Sequence, residues 1–171
     1  MIAVMTLEGH LERLFLMKGA LMSSPNGRIM ALDVGEKRIG VALSDESQTV
    51  ATAYTTLHAQ PFHVFVQKLA KIMAMEYVVE IVIGLPLSLN GNEGPQAARI
   101  REFIAALTPL VTQPLSTCDE RYTSAEAERI MMEAGLRADQ RKAKIDEVAA
   151  SIILQDVLNA RRIQQTYRVD S

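Results

Sequence analysis

"ALDVGEKRIGVALSD", residues 31–45, places a carboxylate between two apolar strand patterns. The apolar run that begins near Arg28 ends on Asp33, and Gly35 and three charged residues follow before the apolar alternation resumes at Ile39. Alternating apolar residues on both sides of a short turn predict two antiparallel strands. The first strand then has an acidic side chain at its carboxyl end, where open α/β sheets bind their ligands.

The rest of the chain alternates between strand and helix patterns. The predicted strands are 28–33, 38–44, 49–56, 77–84 and 114–118, and the predicted helices are 61–76, 95–107, 123–134 and about 141–163. Three successive strands joined by short turns indicate an antiparallel meander, and the β-branched run 77–84 is typical of a buried parallel strand. This order predicts an α/β domain with a mixed five-stranded sheet flanked by helices.

Composition limits the class of protein without choosing a function. The 171 residues are 49% hydrophobic and 22% charged, with a formal net charge of -2, as expected of one globular domain. A single cysteine excludes an internal disulfide framework and favours a reducing, cytoplasmic location. No segment approaches the roughly 20 apolar residues of a membrane helix. The charge balance means that any polyanion must be bound by local basic patches.

The first residues are set apart from this pattern. "MIAVMTLEGHLERLFLMKGALM" lacks the basic start and uninterrupted apolar block of a signal peptide, because acidic and basic residues interrupt it. We interpret residues 1–27 as an N-terminal extension or a misassigned start, residues 28–165 as the folded domain and residues 166–171 as a C-terminal tail. Met22 is one plausible alternative start.

Acidic residues recur at one predicted edge of the sheet. Asp33 ends the first strand, and Asp119 and Glu120 follow the strand at 114–118. Asp146 lies in the first turns of the last helix, on a face that its small neighbours predict to be buried. Carboxylates that meet at one edge repel each other unless divalent cations hold them, and Mg²⁺ and Mn²⁺ prefer such oxygen ligands.

Four segments together resemble one family. They are "ALDVGEKRIGVALSD", "IVIGLPLSLNGNEGPQAARIREF", "CDERYTSAEAERIMMEAG" and "KIDEVAASIILQ". In this order, over about residues 28–160, they resemble the YqgF/RuvX family of pre-16S rRNA nucleases, also called Holliday-junction-resolvase-like proteins. The resemblance implies an RNase H-like fold, metal-dependent cleavage of nucleic acid, and maturation of the 5′ end of small-subunit rRNA in ribosome biogenesis.

The resemblance also implies roles for the acidic residues. Asp33 would bridge two metal ions, Mg²⁺ or Mn²⁺, and Glu120 and Asp146 would complete the set of catalytic metal ligands. Asp119 stays open as the alternative to Glu120, and a strand-end Asp33 that only accepts a turn amide stays open as well. Related junction resolvases carry a further acid or histidine one helical turn before their last aspartate, where this chain has Ala143. Cleavage of four-way junctions with the activity of a resolvase is therefore in question.

Substrate binding is expected to use basic side chains near these acids. The candidate nucleic-acid-binding residues are Lys37, Arg38, Tyr122, Arg137, Arg141, Lys142 and Lys144. Such a set would bind backbone phosphates without reading the base sequence, and Tyr122 would stack on a base. The alternative for the basic cluster is a solvated loop. The expected partners are RNA (pre-rRNA) or structured DNA, with no membrane contact, and the protein is expected to be a monomer or a homodimer.

Other functions remain open at this point. One is a Holliday-junction-type DNA resolvase, and another is a non-catalytic binding factor associated with nucleic acid, ribosomes or transcription. The opening D-x-G-x-x-x-x-G also resembles the phosphate loop of actin-like ATPases and sugar kinases, which need two such lobes.

Overall fold

The computed structural model describes residues 27–86, 94–119 and 123–169. Its strands are β1 (Arg28–Val34), β2 (Arg38–Ser44), β3 (Ala51–His58), β4 (Val78–Leu85) and β5 (Leu115–Asp119). Its α-helices are α1 (Phe62–Met75), α2 (Pro95–Leu107), α3 (Thr123–Glu133) and α4 (Ala138–Val169), with a short 3₁₀ turn at Thr108–Leu110. Every predicted element is present. The main difference is α4, which begins three residues earlier than predicted and continues six residues further.

The strands form one sheet in the order β3-β2-β1-β4-β5. β1 pairs antiparallel with β2, and β2 pairs antiparallel with β3. β4 is parallel to β1, and β5 is parallel to β4. The meander with two added parallel strands confirms the predicted mixed five-stranded, RNase H-like sheet. The carboxyl ends of β1, β4 and β5 therefore share one edge.

Alternation along β1 divides the core between the two faces of the sheet. Met30 and Leu32 lie on the face covered by α1 and α2, in a cluster that includes Phe65 of α1. Ile29 and Ala31 lie on the opposite face, in a second cluster with residues of α4. Because successive side chains of a strand alternate, Asp33 belongs to the α4 face.

The β2–β3 turn is closed by Asp45, the acid at the end of the opening sequence. Its Oδ1 accepts the amides of Thr49 and Val50 at 2.7 and 2.8 Å, and its Oδ2 accepts the hydroxyls of Ser47 and Thr49. The Ser47 hydrogen bond, followed by those amides, lowers the pKa of the Asp45 carboxyl well below its usual range. Asp45 thus has a local role in the turn.

An ion pair anchors the distal part of α4 to the sheet. Arg161 donates Nη1 to Glu80 Oε2 at 2.8 Å and Nη2 to Glu80 Oε1 at 2.7 Å, and the Ser116 hydroxyl donates to Oε1 at 2.8 Å. The Arg161 hydrogen bonds lower the pKa of Glu80, although burial opposes this shift. Bidentate geometry of this kind fixes orientation as well as adding energy. In the part of the chain that the structure describes, no helix is long and apolar enough to cross a membrane.

Candidate active site

Asp33 and α4 are brought together by a glycine on the neighbouring strand. Asp33 pairs directly with Gly40 of β2, so both residues face α4. A Cβ on Gly40 would lie 1.9 Å from the Asp146 carbonyl oxygen and 2.9 Å from the Glu147 nitrogen. Any side chain would therefore collide with the helix backbone. Gly40 allows Asp146 to sit against the residue directly beside Asp33.

The other neighbour of Asp33 is also a glycine. The last pair of the β1–β4 ladder is Leu32 with Ile83, so Gly84 is the next residue along β4. Val82 belongs to the core cluster beneath α4, and alternation places Gly84 on that same face. Asp33 is thus flanked on both adjacent strands by positions without side chains, which leaves lateral room around its carboxylate.

Alternation along β5 determines the face of the sheet on which Asp119 lies. Leu115 packs against the core cluster beneath α1 and α2, whereas Cys118 packs against the cluster beneath α4. Asp119 follows Cys118 and therefore lies on the face opposite to Asp33. Glu120 lies outside the described residues, so its role as a ligand stays a prediction.

Asp146 is half-buried and carries a cation against its carboxylate. Arg38 Nε lies 2.7 Å from Asp146 Oδ2, and the side chains are 39% and 21% exposed, respectively. Although Oδ2 is buried, it accepts no aligned hydrogen bond from the residues that the structure describes, and the contact with Arg38 is therefore chiefly Coulombic. Thr56 Oγ1, directly across from Gly40 on β3, is likewise buried and has no hydrogen-bond partner among the described residues.

The carboxylate oxygens on this face are the kind of ligand that a hard divalent cation prefers. Asp33 and Asp146 supply these oxygens, and Asp146 Oδ2 is buried without an aligned hydrogen-bond donor among the described residues. Residues 27–86, 94–119 and 123–169 contain no group of three or more His, Cys, Asp or Glu side chains arranged to hold a metal. The structure thus juxtaposes two of the three predicted ligand positions.

The predicted nucleic-acid-binding residues fall into different environments. Lys37 is exposed in the β1–β2 turn, and Arg137 and Lys144 are exposed at the start of α4. Arg141 is half-buried and donates Nη1 to the Leu136 carbonyl oxygen at 2.8 Å, so it also stabilises the α3–α4 connection. Tyr122 and the side chain of Lys142 lie outside what the structure describes.

A cavity of about 440 Å³ lies on the other face of the sheet. Its walls include Gly35 and Glu36 of the β1–β2 turn, Phe62 of α1 and Phe103 of α2. Asp33 and Asp146 face away from it, because both lie on the α4 side of the sheet. The cavity is separate from the carboxylates.

The sequence of this domain matches a known family. Residues 27–160 match the family model RuvX, described as "Holliday junction resolvase". This chain belongs to the RuvX family. A relative from Roseiflexus sp. (strain RS-1) is 48% identical over 141 residues, covering 82% of this chain and 100% of the relative. Another, from Chloroflexus aggregans (strain MD-66 / DSM 9485), is 46% identical over 134 residues, covering 78% of this chain and 94% of the relative.

Both relatives carry the name "Putative pre-16S rRNA nuclease". Among solved structures, one similar to this RuvX-family chain is described as "T. thermophilus RuvC in complex with Holliday junction substrate". Its TM-score is 0.49 at 10% identity, with coverage of 80% of this chain and 96% of that one. The predicted family is confirmed. The predicted class of enzyme, a nuclease that hydrolyses phosphodiester bonds, is the class to which the family and its named relatives are assigned.

Two features of this RuvX-family site were missed in the sequence. Gly40 is predicted only as a residue of the second strand and as the last glycine of the D-x-G-x-x-x-x-G pattern, although an isolated glycine within a strand is a known signal of close backbone approach. Arg38 was assigned only to substrate binding, whereas its guanidinium contacts Asp146. No local pattern indicates that contact, because the two residues are far apart in the chain.

Proposed function

We propose that this RuvX-family protein is a divalent-metal-dependent nuclease that acts on structured nucleic acid and processes the 5′ end of pre-16S rRNA. The observation that carries the proposal is the approach of α4 to Gly40, which brings Asp146 beside Asp33 on one face of the sheet.

The proposed metal ligands are Asp33, Glu120 and Asp146, which would hold Mg²⁺ or Mn²⁺. Glu120 is preferred to Asp119 because Asp119 lies on the opposite face from Asp33. Bound divalent ions in such a site would supply activation of water and stabilisation of the leaving oxygen. The role of the three carboxylates is to concentrate negative charge where the cations are needed and to orient them with respect to the scissile phosphate.

The proposed substrate contacts are electrostatic. Exposed Lys37, Arg137 and Lys144 would bind backbone phosphates near the carboxylates, and they carry no base-specific arrangement. The substrate would therefore be recognised by its backbone and shape. We propose RNA as the substrate, a cytoplasmic location, and action as a monomer or a homodimer.

The substrate is tested by comparing three nucleic acids in one cleavage assay. The purified protein is incubated in Mn²⁺ with a pre-16S rRNA 5′ fragment, single-stranded DNA and a four-way DNA junction. We expect cleavage of the RNA and its loss on addition of a chelator. Preferential cleavage of the junction would instead favour a DNA resolvase, and no cleavage of any substrate would favour a binding factor.

The ligand set is tested by conservative substitutions in the same assay. Asp33→Asn, Glu120→Gln and Asp146→Asn should each reduce cleavage by orders of magnitude, because each removes a charge that holds the cations. Asp119→Asn is the matched control and should retain activity. If Asp119→Asn is inactive and Glu120→Gln is active, the assignment of the second ligand is wrong.

Thermal unfolding gives a readout that does not depend on activity. Without metal, Asp33→Asn should keep or slightly gain stability, since it reduces repulsion between carboxylates. Added Mn²⁺ should raise the melting temperature of the wild type through binding to the folded state, and raise that of the variant much less. Equal Mn²⁺ shifts in both proteins would exclude Asp33 as a ligand.

A further inference from the structure

Among the described residues, two ion pairs that connect α4 to the sheet differ in geometry. Arg161 holds Glu80 through both terminal nitrogens, each within 2.8 Å of a carboxylate oxygen. Arg38 approaches Asp146 Oδ2 through Nε at 2.7 Å, yet this oxygen accepts no aligned hydrogen bond from the described part of the chain. A guanidinium that fixes a carboxylate for structural reasons generally uses the aligned, bidentate arrangement. Another cation at Asp146 Oδ2 would therefore displace no aligned hydrogen bond that this oxygen accepts from the described residues.

The two partners of the second pair also differ in how they are anchored. Asp146 is held by its own backbone, which lies against Gly40 with no room for a Cβ. Arg38 is 39% exposed and extends a long side chain from the first residue of β2. Arg38 and Gly40 are two residues apart and share the α4 face of their strand. The carboxylate is thus anchored through its own backbone, whereas the guanidinium lies at the end of a long side chain that has several rotamers.

We propose that Arg38 is a positioning residue and an exchangeable counter-ion: its guanidinium neutralises Asp146 until a divalent cation binds there, and then moves to a phosphate of the bound nucleic acid. This inference rests on the proposed metal site. A guanidinium and a divalent cation repel each other strongly at the separation that sharing one carboxylate oxygen would require. A phosphate is the natural alternative partner, because its oxygens match the guanidinium fork.

The exchange has a thermodynamic consequence. In the metal-free protein, Arg38 competes with the cation for Asp146 and therefore weakens metal binding. Once the cation has bound, Arg38 contributes to nucleic-acid binding, and the affinities for metal and nucleic acid become coupled. A purely structural Arg38 would produce neither effect.

The competition is tested by calorimetric titration of the full chain with Mn²⁺, without substrate. Arg38→Gln should bind Mn²⁺ about 1.5- to fivefold more tightly, the range expected for loss of one partly exposed ion pair. Arg38→Lys keeps the charge and should remain close to the wild type. Arg99→Gln is the matched control, because Arg99 is 59% exposed and lies 3.7 Å from Glu36, and it should leave Mn²⁺ affinity unchanged. Unchanged or weaker Mn²⁺ binding by Arg38→Gln would overturn the proposal.

The coupling is tested by measuring RNA binding as a function of salt, with and without Ca²⁺, a hard cation of looser coordination geometry. With Ca²⁺, Arg38→Gln should lower the log–log salt slope by about one unit, as expected for loss of one phosphate contact. Without a divalent cation, its slope should equal that of the wild type. A slope change of the same size in both conditions would mean that Arg38 contacts phosphate regardless of the metal, and would overturn the exchange.

The outcomes separate this inference from the proposed function. If the wild type binds Mn²⁺, Asp146→Asn does not, and Arg38→Gln matches the wild type, the metal site stands and only the exchange fails. If the wild type does not bind Mn²⁺, both fail. Arg38→Met retains the apolar stem of the side chain and provides the same comparison if the Gln variant folds poorly.

Discussion

Replacing Gly40 by alanine tests the contact on which the proposed site depends. The added Cβ would lie 1.9 Å from the Asp146 carbonyl oxygen and 2.3 Å from its carbonyl carbon, whereas ordinary contact begins at 3.4 Å. The Cβ is fixed to the backbone of β2, and the atoms that it would meet belong to the backbone of α4, so no side chain can rotate away. The helix must retreat from β2 by about 1.5 Å at Asp146.

The size of the effect follows from that displacement. Overpacking of a core costs about 1–3 kcal/mol of stability, and the collision of the Cβ with the helix backbone places the cost of Gly40→Ala at about 3 kcal/mol. For a domain of this size, that corresponds to a melting temperature lower by about 6 to 12 °C. A displacement of this order between reacting groups also reduces turnover by about a hundredfold. Gly40→Ala should therefore lose both stability and cleavage.

Thermal unfolding followed by circular dichroism, together with RNA cleavage below the melting temperature of the variant, measures both effects. Gly94→Ala is the matched control, because a Cβ at Gly94 would meet no atom of the described residues within 4 Å. Gly94 is the N-cap of α2, and its replacement by alanine should lower the free energy of unfolding by about 1 kcal/mol or less. If Gly40→Ala is as stable as Gly94→Ala, the close approach of α4 is refuted. If it is destabilised but cleaves normally, the contact does not position the catalytic acids.

Three further predictions concern other parts of the molecule. Glu80→Gln should lower the free energy of unfolding by about 1.5 kcal/mol near pH 7. Because folding lowers the pKa of Glu80, the wild type should keep this advantage above the unfolded pKa of about 4.3. The advantage should disappear as the pH falls through the lowered pKa of the folded state. Urea denaturation between about pH 7 and pH 3 measures this, and a difference that does not vary with pH would contradict the ion-pair explanation. Starting the chain at Met22 should leave stability and cleavage unchanged, since the family match begins at residue 27, and loss of soluble protein would show that the preceding residues pack on the domain. Replacing Arg137 and Lys144 by alanine should weaken RNA binding similarly for all sequences and lower the salt slope by up to about two units, whereas an unchanged slope would show that these side chains do not meet phosphate.

Local periodicity accounts for how much of the fold could be predicted. Alternation and one β-branched run predicted all five strands, and helical spacing with helix-start signals predicted all four helices, because these patterns depend only on residues within each element. Short turns correctly predicted the antiparallel meander. The end of α4 was less predictable, because polar residues after the buried part of the helix do not report where its backbone stops.

The acid positions were predictable in part. Asp33 could be assigned to the end of β1, and the inward face of α4 at Asp146 could be inferred from its small apolar neighbours, which are buried as expected. The choice between Asp119 and Glu120 was not settled by composition or motif. The packing of Cys118 beneath α4 places Asp119 on the other face and favours Glu120.

By itself, the sequence determined the elements, their order, the family and the acidic residues worth testing. Only the tertiary structure decided that α4 contacts β2 at Gly40 and that Arg38 lies against Asp146. The physical reason is that periodicity specifies which side of its own helix or strand a residue occupies, but not the distant residue that it meets. That pairing is set by close packing across the interior, where the absence of one Cβ determines how near a helix can come to a sheet.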